Sequence, residues 1–125
     1  MILVDTSIWI DYIRAGRHDR LGDLLESEGV VMHDYVFGEI AMGSPRNRIA
    51  ILDMLRNLHR IPTATHFEVM TFVESAKLFG LGLNYIDVHL LAAAQASADR
   101  EPVRLWTRDT ELLKQAGRFG VAYQP

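Results

Sequence analysis

Cysteine is absent from these 125 residues, which excludes disulfide bridges and any zinc site built on thiolates. Histidine is sparse: His18, His33, His59, His66 and His89 show neither an HxxxH nor an HxH spacing, so an imidazole cage for zinc is not indicated. Any metal here is expected to be a hard ion held by carboxylate oxygens. No apolar run approaches the length of a membrane span, and the first residues lack the basic stretch and cleavage site of a secretory signal. Lysine is nearly missing, with only Lys77 and Lys114 against eleven arginines. The formal net charge of −3 offers no bulk attraction for nucleic acid. A GxxxxGK[ST] phosphate loop, internal repeats, low-complexity tracts and linkers are also lacking. What remains is the expectation of one compact cytoplasmic domain spanning residues 1–125.

What is present is an alternation of short apolar runs and helical stripes. Ile2-Leu3-Val4 reads as a fully buried strand, too short and too β-branched for a helix. From Ser7 to about Ala15, Ile8, Trp9, Tyr12 and Ile13 recur at helical spacing and stop at Gly16. DRLGDLLESEG predicts a second helix with Gly29 as its C-cap, and Val30-Val31-Met32 a second strand. A helix with Asp34 near its N-cap follows, then a stripe through Ile49, Leu52, Leu55 and Leu58. Arg60-Ile61-Pro62 leaves room for a very short strand, and residues 66–82 and 84–98 read as two further helices. Val103 to Trp106, a helix over 109–117 and a closing strand from Phe119 to Ala122 complete the pattern. Strands and helices alternating in so short a chain predict an α/β fold with a parallel sheet covered on both faces.

Against that layout four acids stand out: Asp5 where the first strand ends, Glu39 inside an apolar helix, Asp87 in the first turn of NYIDVHLLAAAQ, and Asp109 just after VRLW. Each has an ordinary explanation. Asp5 and Asp109 suit N-caps and Asp87 the acidic arm of a capping box begun by Asn84. Glu39 is the hardest to dismiss, having apolar neighbours on both sides. Taken together they point elsewhere. Three fall at strand ends, which form one edge of a parallel sheet, where ligands bind. Carboxylates gathered there raise one another's pKa, and Mg²⁺ or Mn²⁺ would offset the repulsion and promote phosphoryl transfer or hydrolysis. Other α/β acid sites fit less well: DTSIW has Ser7 where a haloacid-dehalogenase-type phosphatase places its second Asp, and Asp53 lies inside a helical stripe rather than after a strand, as a phosphorelay receiver would need.

The ordered segments VDTSIWIDYI, FGEIAMG, NYIDVHLLAAA and LWTRDTELLKQA resemble the PIN domain, and more narrowly the VapC toxins of bacterial VapBC toxin–antitoxin pairs. The resemblance runs nearly end to end. It implies a three-layer α/β/α sandwich with a short central parallel sheet, and a metal-dependent endoribonuclease leaving 5′-phosphate and 3′-hydroxyl ends through attack by metal-activated water. It places Asp5, Glu39, Asp87 and Asp109 around Mg²⁺ or Mn²⁺, with Asp5 and Asp87 as direct ligands. Thr6, Ser7 and Thr107 offer hydroxyls to orient a carboxylate or phosphate.

The same resemblance implies RNA as substrate, a cognate VapB-like antitoxin laid in an apolar groove, and a homodimer. Arg14, Arg17, Arg20, Arg46, Arg48 and Arg108 are candidates for the RNA backbone, and Trp9, Tyr12 and Tyr85 for stacking on bases. The helix around Glu39 and the stripe from Ile49 to Leu55 are candidates for the groove. Two other readings compete: a PIN nuclease of RNA maturation, sharing the site without the antitoxin, and a PIN-like scaffold that binds metal without cutting.

Overall fold

The computed structural model describes residues 1–16 and 19–125. Arg17, one of the arginines considered for RNA, and His18 lie outside the described residues. The chain runs β1 (Ile2–Val4), α1 (Thr6–Ala15), α2 (Asp19–Glu26), β2 (Val30–Met32), α3 (Asp34–Ala41), α4 (Arg48–Arg56), β3 (His59–Arg60), α5 (His66–Ala76), α6 (Tyr85–Ala96), β4 (Arg104–Trp106) and α7 (Thr110–Arg118).

The four strands form one parallel sheet in the order β3-β2-β1-β4. β1 and β2 are buried on every residue, as uninterrupted apolar runs require when both sheet faces are covered. Helix α1 packs on α3 and α3 on α4, while α5 packs on α6 and α6 on α7, with α6 and α7 also against β4. Leu3, Ile8, Trp9, Leu21, Met32, Leu90, Leu91, Leu105 and Leu112 are fully enclosed in a common core. This is the α/β fold with a parallel sheet that the alternation predicts, and all strands run toward one shared edge.

Four local features differ from the sequence expectation. The helix expected over 66–82 stops at Ala76, because Lys77 turns left-handed at φ 56° and the Leu78 N–H reaches back to the Val73 carbonyl at 3.0 Å. That return buries Leu78 and ends the helix without a glycine. The closing strand reduces to a single parallel bridge, Leu105 with Ala122, held by Leu105 N–H to Val121 O and Tyr123 N–H to Leu105 O. At the end of α2 the left-handed residue is Glu28, not Gly29. The N-cap of α3 is His33, whose ring nitrogen Nδ1 accepts from the Tyr35 N–H at 3.0 Å, and Asp34 sits in the first turn facing Arg60 at 3.4 Å.

Candidate active site

Asp5 follows the last buried residue of β1 and opens α1. Its Oδ1 accepts from the Thr6 N–H at 2.7 Å, so the carboxylate is an N-cap. Its Oδ2 accepts from the Thr107 hydroxyl at 2.7 Å. Thr107 is itself buried and accepts from the Asp109 N–H at 3.1 Å, so its hydroxyl both donates and accepts. Asp109 caps α7 through the Leu112 N–H at 2.8 Å. On the other side of Asp5, the Thr6 hydroxyl donates to Glu39 Oε1 at 2.7 Å. A continuous chain of hydrogen bonds therefore runs from α7 through the end of β4 and the end of β1 to α3.

Asp87 reaches the same place from α6. Its carboxylate accepts from the Asn84 N–H at 3.1 Å while Asn84 Oδ1 accepts from the Asp87 N–H at 2.8 Å, a complete capping box. The Asp87 carboxyl is raised above its ordinary pKa, first by burial and then by the charges of Asp5, Asp109 and Glu39, against the lowering effect of the Asn84 bond. The four acids thus lie within electrostatic reach of one another, although burial outweighs the repulsion at Asp87. The capping explanation and the clustering both hold: caps fix three of these carboxylates, and the caps all open on one edge.

Glu39 departs from expectation. It is exposed on α3, on the flank of the face that buries Val36 and Ile40, so its apolar sequence neighbours do not enclose it. Among the described residues, ion pairs join Arg56 to Asp53, Arg60 to Asp34 and Arg108 to Asp11, and none includes the four acids. Among the described residues the cluster therefore has no cationic side chain paired to it. Its donors are all carboxylate and hydroxyl oxygens, the set that Mg²⁺ and Mn²⁺ take. No three acids or histidines among the described residues stand close enough to form a finished metal cage. The residues fit a hard divalent ion by charge and donor type.

The other candidates scatter. Trp9 is fully buried core, with Tyr12 edge-on to it. Arg48 donates to the Ala41 and Gly43 carbonyls and so caps the end of α3. Arg20 is bonded to the Tyr123 hydroxyl, while Arg14 and Arg46 are exposed. Tyr85 is half-exposed beside Asp87 in the first turn of α6, and its hydroxyl meets His66 Nδ1 at 2.7 Å.

One group escaped sequence reasoning. His33 and His89 are fully buried, with ring centroids 6.1 Å apart, and Tyr35 and Tyr85 each pack edge-on to His89. Among the described residues, His33 Nε2 and both ring nitrogens of His89 have no hydrogen-bond partner. Burial, together with neighbouring His89, lowers His33 to a pKa of about 4, and His89 is lowered by burial and by His66. No spacing rule could have found the pair, because only the packing of α3 beside α6 brings them together.

Residues 2–118 match the family model of the PIN domain. Over 122 residues, 98% of this chain and 95% of the relative, the sequence is 41% identical to Ribonuclease VapC32 of Mycobacterium tuberculosis, in strain CDC 1551 / Oshkosh and equally in strain ATCC 25618 / H37Rv.

Proposed function

Because the chain belongs to the PIN-domain family and is similar along nearly its whole length to a VapC ribonuclease, we propose that it is the endoribonuclease toxin of a toxin–antitoxin pair, acting on RNA in the cytoplasm. The observation that carries this reading is the unpaired acid edge: Asp5, Glu39, Asp87 and Asp109 lie within electrostatic reach of one another, and among the described residues no ion pair joins a basic side chain to any of them. Such a site lowers its free energy by taking up a cation.

Asp5 and Asp87 would hold Mg²⁺ or Mn²⁺, with Glu39 and Asp109 beside them. Bound there, the ion would make water a better nucleophile at neutral pH and offset charge on the phosphodiester oxygens. The chain's own contribution is orientation. Thr107 aims Oδ2 of Asp5, the Thr6 N–H aims Oδ1, and the Thr6 hydroxyl holds Glu39. Asn84 holds Asp87 through the first turn of α6. Each carboxylate is thereby fixed before substrate arrives, which lowers the reorganisation needed for catalysis.

A partner surface lies nearby. A cavity of about 240 Å³ between α1 and the end of α3 is lined by Ile10, Ile13, Arg14, Ile40 and Pro45, and Met42 and Ile49 stand exposed on the same stretch. An antitoxin helix with apolar anchors suits that groove. Phe67, Met70 and Phe79, exposed on α5 and just after it, are the apolar side chains available to a second copy of the chain. No helix among the described residues is long and apolar enough to cross a membrane.

The test is incubation of purified protein with total RNA in Mg²⁺, Mn²⁺ or EDTA, beside Asp87→Asn. Discrete metal-dependent products lost in the variant are expected. A folded wild-type protein that binds no Mn²⁺ and cuts nothing would overturn the nuclease reading in favour of a scaffold.

A further inference from the structure

Arg108 stands between two members of the hydrogen-bonded acid chain, Thr107 and Asp109, yet it is bound to neither. Its guanidinium is instead paired with Asp11 on α1, and both side chains are about half-exposed, at 49% and 46%. Asp11 lies six residues after Asp5 on one helix, so it sits roughly 9 Å along the α1 axis from the site. Arg108, adjacent in sequence to the acid edge, is therefore held to the flank, paired with Asp11 rather than with Asp109.

We propose that Arg108 is a phosphate clamp for the RNA strand, gripping a phosphate next to the one being cut, and that Asp11 is its latch in the free protein. This rests on the ribonuclease reading and gives that site its substrate-holding residue. An exposed ion pair is cheap to open, whereas guanidinium on phosphate is a charge-assisted and commonly bidentate contact. RNA thus takes over the Asp11 position with little opposing cost. The latch also fixes the long Arg108 side chain near its working place, which reduces the ordering needed on binding. An acidic site that must receive a polyanion needs such a fixed cation at its border, since net charge supplies no attraction.

The test uses a fluorescein-labelled single-stranded oligoribonucleotide of mixed sequence and the Asp87→Asn protein, which leaves the RNA whole. Anisotropy titrations at several salt concentrations compare that parent with Arg108→Gln, Arg108→Lys, Asp11→Asn and the Asp11→Asn/Arg108→Gln pair, each checked for fold by circular dichroism. Arg108→Gln is expected to weaken binding about fivefold and to lower the salt slope by about 0.7, the share of one phosphate contact on a single strand. Arg108→Lys should fall between. Asp11→Asn should tighten binding about twofold, and that gain should vanish when Arg108 is already Gln. An Asp11→Asn gain that persists in the Arg108→Gln background would be bulk charge only and overturns the latch. An unchanged affinity and slope in Arg108→Gln overturns the clamp, as does a parent that binds no RNA. Coupling with no cleavage by the wild type would unseat the nuclease reading and leave the clamp standing; cleavage without coupling does the reverse.

Discussion

His33 makes the pH dependence of stability a sharp test of the buried cluster. Its imidazole is fully enclosed, its Nδ1 accepts the Tyr35 N–H, and burial beside His89 holds its pKa at about 4 against 6.5 when unfolded. The native state keeps the ring neutral while the unfolded chain takes up a proton below pH 6.5. Unfolding then binds protons, so stability falls as pH drops from 6.5 toward 4 and is flat above that window. At 1.36 kcal/mol per pH step, the loss attributable to His33 accumulates to about 3 kcal/mol. Urea unfolding from pH 7.5 to 4.5, with the slope m checked for constancy, reads it directly. The control is His33→Asn, which keeps an N-cap acceptor and cannot titrate. That variant is expected to be less stable at pH 7.5, because the smaller side chain leaves a void, but its profile should be flatter by roughly 2–3 kcal/mol over the range. Asp87 works in the opposite sense, its raised pKa adding stability in acid that is lost as pH rises; that contribution is common to both proteins and cancels in the difference. Parallel profiles would refute the reasoning.

Further outcomes are expected. Asp87→Asn should abolish cleavage yet stay folded within about 1 kcal/mol of wild type by urea titration, since an amide oxygen can still accept the Asn84 N–H; unfolding of the variant would mean that capping is its main role. Thr107→Val should cost roughly 1–3 kcal/mol, leaving Asp5 Oδ2 and the Asp109 N–H unmatched, and thermal melts of Thr107→Ser should recover most of it. Mn²⁺ at about a hundred times its dissociation constant should stabilise the protein by about 2.7 kcal/mol, and the same calorimetric scan of Asp87→Asn should show no such gain. Lys77→Gly, relieving the left-handed backbone at φ 56°, should raise stability by roughly 0.5–1 kcal/mol; a loss would mean that the Lys77 side chain does more than end α5.

The legible parts of this chain are those decided by local patterns. Ile2–Val4 and Val30–Met32 read as buried strands because they are short, β-branched and uninterrupted by polar residues. Asn84 with Asp87, and Asp109 before Leu112, carried their capping roles in plain view. The end of α5 was hidden because Leu78 and Phe79 continue the apolar stripe past the turn, and only the return of Leu78 to Val73 stops the helix. The exposure of Glu39 was not legible, because it depends on how α3 is rotated against the core and not on the apolar residues beside it in sequence. The His33–His89 contact and the Arg108–Asp11 pair join distant segments, and no local signal encodes either.

Strand order carries one more consequence, for the moment of synthesis. β1 is the first of the four strands to be made, yet it lies between β2 and β4, and β4 begins only at Arg104. The Asp5 N–H is bonded to the Trp106 carbonyl and the Asp5 carboxylate to the Thr107 hydroxyl. A nascent chain still lacking β4 has one bare edge on β1 and an Asp5 without either partner. The acid edge is thus completed only after residues 104–109 have been made. Until β4 forms, the Asp5 carboxylate lacks the hydroxyl that orients it, so metal uptake by the acid edge is expected only once that strand is in place.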